Sequence, residues 1–436
     1  MRKIEKIVFY LFIFCIPFQT RVILWKLSPK GDFNEWTSVF IYGTDLLILL
    51  LFLFWSLKKF PSLVKPDFAD FSLIFFVAIS GFSVLAAGNK SLSLYNFLKI
   101  LEFLFLFYYF RFALKSLLKP AHVLILVIAS GLFQSVLAIA QSFFQHSLGL
   151  KMLGESILKT NFNGVAVVLF GDEKFLRAYG TLPHPNILAA WLFVAIFAFY
   201  FWYLYEKKDR PLWTVFLIYV STLLAFLLTF SRVIIGLWVV GLAIKLAFVS
   251  LKRKSYPISS IFKKRVFFLA AVSCLVVLVF SFLLWPQVSS RISLSEKDLA
   301  VSERIFYNKL AGAEAVSKPI LGLGTGQFVR HMLASFNFDK NYLYQPVHNI
   351  YLLIAAETGF FGLAAFLAFV FFLIRHYTKK TKLKMLYQLS FLIFFSSILV
   401  IGLFDHFLWT IQQGQIMLWL ALGLMAETGK DWHKTS

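Results

Sequence analysis

The sequence predicts an all-α, polytopic membrane protein with about twelve transmembrane helices, and three observations carry that prediction. Apolar residues fill 60% of the 436 positions, against roughly 45–50% in an average soluble protein. Charged residues are held to 15%, where about 25% is usual, too few to clothe a water-soluble body of this size. The apolar residues run in continuous stretches and do not alternate one by one, which points to helices and away from a membrane barrel. A soluble enzyme is thereby excluded. With 54 Phe, 17 Tyr and 11 Trp, so is a disordered chain.

A spanning helix needs about 20 mostly apolar residues. Twelve stretches qualify, centred on residues 7–24, 42–57, 70–87, 95–114, 121–143, 186–205, 211–229, 233–250, 266–285, 350–374, 386–404 and 411–427. The first follows Met1-Arg2-Lys3 with no small-residue cleavage site behind it, so it reads as a retained span and not a signal peptide. The seventh and eighth are separated only by Phe230-Ser231-Arg232. No repeat and no soluble domain interrupts the pattern, so residues 1–436 read as one integral membrane domain.

The excess of 43 Lys+Arg over 21 Asp+Glu would suggest nucleic acid in a soluble protein. In a membrane protein it follows from the placement of cations on cytoplasmic loops, and no nucleic-acid partner is expected. The dense basic runs, Lys252-Arg253-Lys254 with Lys263-Lys264-Arg265, and Arg375 with Lys379, Lys380, Lys382 and Lys384, fall on short connections of one side. Both termini are therefore expected in the cytoplasm, with the chain in the inner (cytoplasmic) membrane. Cys15 and Cys274 lie in apolar segments and define no disulfide or metal framework.

Two connections on the opposite, periplasmic side are long: 144–185, and 286–349, which precedes the tenth helix. Connections of that length carry function or extra structure. The second predicts a surface helix from Ser302 to Val316, with Ile305, Leu310, Ala313 and Val316 at helical spacing.

Four polar clusters on that face are candidates for chemistry. Arg177 to Asn186 holds two prolines and a glycine that fix a turn; His184 and Asn186 either cap the next helix, with Asn186 at the expected N-cap, or bind substrate. Arg232 stands between two apolar runs, where an arginine either snorkels to headgroups or has a task. Arg304 lies on the predicted loop helix beside Glu303. His348-Asn349, followed by Tyr351 and Glu357, ends the long loop. Glu357 is nine residues beyond His348, about 13.5 Å along a straight helix and on its opposite side, so it cannot orient that histidine unless the helix breaks. Such a break is expected at Thr358-Gly359, because a helix from His348 to His376 would be about 43 Å long against a hydrocarbon core of about 30 Å.

Other patterns point nowhere. Gly322-Leu323-Gly324-Thr325-Gly326 lacks the lysine of a phosphate loop and reads as a turn. No zinc pattern is present, and Asp32 with Glu35 reads as a solvated acid pair before it reads as a divalent-ion site. Glu102 follows Lys99 at a spacing that permits an ion pair.

In combination, Arg177 to Asn186, Thr229-Phe230-Ser231-Arg232, Ser302-Glu303-Arg304, Pro319 to Gly324, and His348-Asn349-Ile350-Tyr351-Leu352 with Glu357-Thr358-Gly359 resemble the O-antigen ligase and O-antigen polymerase superfamily from about residue 170 to 425. The resemblance implies a metal-independent, cofactor-free glycosyltransferase of GT-C type using a polyprenyl-diphosphate glycan as donor. Arg232 and Arg304 would fall on the arginines that grip the diphosphate and His348 on the histidine that activates the acceptor, with Arg177, His184, Asn186, Asn349 and Tyr351 as binding residues beside them. Members differ in acceptor: a lipid-linked sugar for ligases, a further repeat unit for polymerases, a protein hydroxyl for oligosaccharyltransferases. A glycan or lipid transporter is the alternative from another class.

Overall fold

The computed structural model describes residues 2–26, 33–58, 66–112, 120–205, 210–251, 258–292, 299–380 and 385–426. Helices dominate: α1 Arg2–Cys15, α2 Gly43–Ser56, α3 Phe68–Ala86, α4 Lys90–Phe112, α5 Pro120–Phe144, α6 Pro185–Tyr205, α7 Leu212–Leu227 and α8 Arg232–Leu251 in the first part of the chain. There follow α9 Ser260–Leu283, α10 Trp285–Ile292, α11 Leu299–Ser317, α12 Phe328–Ser335, α13 Ile350–Lys380, α14 Met385–Phe404, α15 Phe407–Thr410 and α16 Gln412–Ala426. Each of the twelve apolar stretches contains a helix, and α11 covers the helix expected in the long loop.

Eight helices among the described residues, α3 to α6, α8, α9, α13 and α14, are long and apolar enough to cross a membrane. The other four, α1, α2, α7 and α16, have 14 to 16 residues, shorter than a hydrocarbon core of about 30 Å asks of an untilted helix. The first stretch departs most from expectation. Pro17 cannot continue a helix, α1 stops at Cys15, and residues from Arg21 form a strand. That strand, β1 (Arg21–Lys26), pairs antiparallel with β2 (Ser38–Tyr42), while β3 (Val167–Phe170) pairs with β4 (Glu173–Leu176) inside the first long loop. Both hairpins lie in connections, so the all-α class stands with two small β additions.

Helix α6 sits at the centre. It is apolar all round, and 94% of its most apolar window is buried, as expected of a helix that meets other helices on every side. On α8 and α9 only 28% is buried, and Val239, Val240, Leu275, Leu278, Val279 and Phe282 are exposed. Exposed apolar belts of this kind have lipid as their natural solvent. The chain is a multi-pass membrane protein.

The predicted break in α13 is present. Gly359 adopts φ 72°, ψ 179° inside the helix, a conformation open chiefly to glycine. The reason is a crossing of backbones. The turn from Pro319 to Gly326 threads into the break, with Phe360 N donating to Pro319 O (2.8 Å), Leu323 N to Ala356 O (2.8 Å) and Gly324 N to Glu357 O (3.0 Å). A Cβ on Gly359 would stand 2.4 Å from Ile320 O, and one on Gly322 equally close to the Glu357 carbonyl carbon. Glu357 is buried here and accepts the backbone N–H groups of Gly326 (2.9 Å) and Phe328 (3.1 Å). It holds the glycine turn in place and leaves His348 alone.

Candidate active site

The starts of α6, α8 and α13 and the end of α14 converge on one cavity, and local backbone features explain how each side chain reaches it. Between α7 and α8, Phe230 takes a left-handed φ of 48°, held by ring contacts to Phe280 (5.5 Å) and Phe175 (6.0 Å). This reverses the chain within three residues and puts Arg232 in the first turn of α8, where Ile235 N donates to Ser231 O (2.9 Å). Arg177 follows β4 and is buried; its Nε donates to Thr229 O (2.7 Å) and its Nη2 to Asn186 Oδ1 (2.8 Å). Asn186 Nδ2 in turn donates to Asp405 Oδ2 (2.8 Å), in the turn between α14 and α15. One amide thus ties three segments that are far apart in sequence.

Asn186 is therefore not the N-cap of α6. That place belongs to His184, whose carbonyl accepts the N–H groups of Ile187 (3.0 Å) and Leu188 (3.2 Å) and whose Nδ1 accepts Asn186 N (3.2 Å). Asn349 and Tyr351, expected among the binding residues, do not line the cavity. Asn349 Oδ1 accepts the N–H groups of Tyr351 and Leu352 and so starts α13, and Tyr351 OH donates to Leu399 O (2.9 Å), joining α13 to α14.

Arg177, His184, Asn186, Arg232, Arg304 and His348 all line the cavity, which encloses about 1600 Å³ of empty space with its open mouth included. Arg291, Glu303 and Trp36 join them, and Ile401, Phe404 and Phe407 form an apolar side. The reading of the sequence missed Asp405 and His406. The ring of His406 lies 5.0 Å from that of His348, centroid to centroid, at 71°, and the indole of Trp36 packs against it at 4.9 Å and 87°. The signal available for this pair was an acidic residue and a histidine side by side in a short connection between two apolar stretches.

Charge is distributed unevenly. Burial first, and then the neighbouring arginines, bring Arg177 down to about 9. Burial likewise takes His184 and His406 down to about 3 and lowers His348, which Arg304 lowers further. All three imidazoles are consequently neutral near pH 7. Burial alone would raise Asp405, but the three histidines and the Asn186 hydrogen bond outweigh it and hold the carboxyl below its usual value. The cavity therefore presents several guanidinium groups, the acidic side chains of Glu35, Glu303 and Asp405, and neutral imidazoles. The first turns of α6 and α8 also line it, adding N-terminal dipole ends that favour an anion.

A metal ion has one candidate place among the described residues: ligand atoms of His348, Asp405 and His406 lie within 4.8 Å of one another. Two imidazoles and a carboxylate are a donor set that zinc or iron accepts. The surroundings oppose it, because guanidinium groups line the same cavity and Asp405 Oδ2 and His406 Nδ1 are engaged by Asn186 and Thr410. Of the acid pair in the first loop, Asp32 lies outside the described residues, and Glu35 forms a salt bridge with Arg21.

Residues 217–367 match the O-antigen ligase family. This segment belongs to that family. It runs from within α7 to the middle of α13 and takes in Arg232, Arg304 and His348; Arg177, His184, Asn186, Asp405 and His406 reach the same cavity from outside it. Among curated proteins there is no match. O-antigen ligase family members form a superfamily of glycosyltransferase-like membrane enzymes, which implies a lipid-linked glycan donor and a bilayer setting.

Proposed function

We propose that the chain is an O-antigen ligase-like glycosyltransferase that moves a glycan from a polyprenyl-diphosphate carrier to an acceptor hydroxyl at the outer face of the cytoplasmic membrane, with both termini in the cytoplasm. The observation that carries this reading is a cavity where arginines and a neutral histidine meet beside an apolar wall. A diphosphate is the anion for which paired guanidinium forks are suited, and Arg232 and Arg304 are assigned to it. Arg177, locked by Thr229 and Asn186, supplies fixed positive potential behind them. Ile401, Phe404 and Phe407 offer the apolar flank that a lipid carrier needs.

The reaction is one displacement. The acceptor oxygen attacks the anomeric carbon from the face opposite the phosphate, the bond from carbon to phosphate oxygen breaks, and the diphosphate departs with the electron pair, inverting the centre. His348 takes the hydroxyl proton. Burial keeps it in the base form but makes it a weak base; a bound diphosphate offsets the arginines and raises its proton affinity where the proton is released. Asp405 stabilises the imidazolium. The departing group is already anionic and held by arginine, so neither a general acid nor a metal is required.

The test uses the purified chain with a polyprenyl-diphosphate oligosaccharide and a sugar acceptor. Transfer off the carrier that survives EDTA and is lost in His348→Ala is expected. Lengthening of the carrier-linked glycan would make the chain a polymerase, and transport of intact donor with no new glycosidic bond would overturn the enzymatic reading.

A further inference from the structure

An antiparallel pair that packs one face on a protein and turns the other to water alternates apolar residues inward with polar residues outward. The β1–β2 hairpin breaks that rule. On its inward face Phe40 and Tyr42 are buried. Tyr95 of α4 fixes the strand there, its hydroxyl donating to Phe40 O (3.0 Å) and accepting Phe40 N (3.3 Å). On the other face the register sets Val22 opposite Ile41 and Trp25 opposite Val39. All four are apolar, and Val22 is 65% exposed, Ile41 40% and Trp25 47%. We propose that this outward face is seated in the interfacial layer of the bilayer, against headgroups and the upper acyl chains on the cavity's side, where the membrane thins to meet it. That placement holds whatever chemistry the cavity performs.

Helix length is the first reason. The helices that lead into and out of the hairpin, α1 and α2, have 14 residues each. That is about 21 Å of helix, some 9 Å short of a hydrocarbon core of about 30 Å. Both reach the same basic surface, because α1 starts at Arg2-Lys3 and Lys58, just beyond α2, pairs with Glu5 of α1. The hairpin therefore begins at a level where acyl chains still stand beside a full-length helix. A bilayer thins around spans that are too short, at a cost of fractions of a kcal/mol per Å.

Continuity is the second reason. Strand β2 runs directly into α2, where Leu46, Leu49, Leu50 and Leu53 are exposed in the same manner as the lipid-facing residues of α8 and α9. The third is the order of residues along β1. Val22, Ile23 and Leu24 give way to Trp25 and Lys26, and all five are exposed. Tryptophan favours the headgroup boundary and lysine snorkels past it. Arg21, nearer the helix, is neutralised by its salt bridge to Glu35 and lies over the Phe40 ring at 4.1 Å. Depth has a limit, however. Among the described residues β1 pairs with β2 alone, and an open edge is not tolerated in hydrocarbon, so the strand lies where headgroups and water reach its amides. Glu35 and Trp36, which stand between the two strands, line the cavity; lipid thus supports one of its walls.

The test uses the full chain with Cys15→Ala and Cys274→Ala, carrying one new cysteine at Val22, Ile41 or, as a polar control, exposed Asp172. Each variant is labelled with bimane, shown to run as a single species in detergent, and reconstituted into vesicles of phosphatidylethanolamine and phosphatidylglycerol. Lipids with a nitroxide high on the acyl chain should cause a loss of fluorescence at Val22 and Ile41, a larger one than lipids with the nitroxide near the chain end. The label at Asp172 should instead be quenched by aqueous iodide. Strong iodide quenching at Val22 and Ile41 without lipid quenching would show a hairpin standing in water and overturn the placement. So would protection from both quenchers with energy transfer between labelled copies, which would make a second copy of the chain the occupant. Stronger quenching from the chain end than from the upper chain overturns it as well, since that would put the strand in the core.

Discussion

The imidazoles of His348 and His406 stand 5.0 Å apart, centroid to centroid, and meet edge to face at 71°. One precedes α13 and the other precedes α15, so two connections place them together. Asp405 is close to both. A proton taken up by His348 consequently arrives beside a carboxylate that is already ionised, inside a ring of guanidinium groups that no proton can join.

His348→Ala should abolish glycan transfer while leaving insertion and thermal unfolding close to wild type, because among the described residues the buried His348 Nδ1 has no hydrogen-bond partner to lose. With His348 lowered by burial and Arg304, its base form persists to a lower pH than that of an ordinary histidine near 6.5. The acid limb of kcat/KM should therefore fall below about pH 6.5, and a limb above that value would remove His348 as the base.

Arg232→Lys and Arg304→Lys keep the charge and discard the fork. Each should cost at least about tenfold in kcat/KM, or roughly 1.4 kcal/mol, the scale of one charge-assisted hydrogen bond. Steady-state kinetics with a polyprenyl-diphosphate donor decides it, and a lysine variant equal to wild type would show that only charge is needed.

Asn186→Ala cuts the tie from Arg177 to Asp405. Leaving buried partners unsatisfied costs about 1–3 kcal/mol, so the unfolding midpoint should fall and donor KM should rise together. A fall in stability with donor KM unchanged would confine Asn186 to a structural role.

Acid should destabilise the fold through His184 and His406. Both are held down to about 3 by burial, while the unfolded chain protonates near 6.5. The unfolded state binds more protons between those values, so stability is complete above about pH 6.5 and is lost as pH falls, by about 1.4 kcal/mol per pH unit for each histidine. Unfolding midpoints across that range check the slope, and His406→Gln should flatten it.

Gly359→Ala should be severe for a methyl group. It places a Cβ 2.4 Å from Ile320 O at a positive φ, a cost on the order of 1–3 kcal/mol for the backbone alone. Reduced yield of folded protein in the membrane is expected, and a normal yield would mean that the turn shifts without penalty.

Much of this molecule is legible in the sequence because lipid imposes a simple rule: apolar runs mark helices wherever they occur, and every such stretch holds one. The break at Gly359 is legible for a related reason, since a helix that long exceeds the bilayer. Helix termini are harder. Pro17 turns the first stretch into a short helix and a strand, and His184 takes the capping role that spacing gives to Asn186. In the site, Arg177, Arg232, Arg304 and His348 are visible because charged groups stand out beside hydrocarbon. Asp405 and His406 are hidden in a connection whose local pattern looks ordinary, and what gives them meaning is a set of partners at residues 36, 184, 186 and 348 that only folding assembles. Asn349 and Tyr351 show the opposite error, where closeness in sequence to His348 suggests a shared task that side-chain direction denies.

The glycine turn threaded through the broken helix makes one mechanical unit of two segments. Phe360, Leu323 and Gly324 rivet it to α13, so neither the turn nor the middle of that helix can shift without unwinding the other.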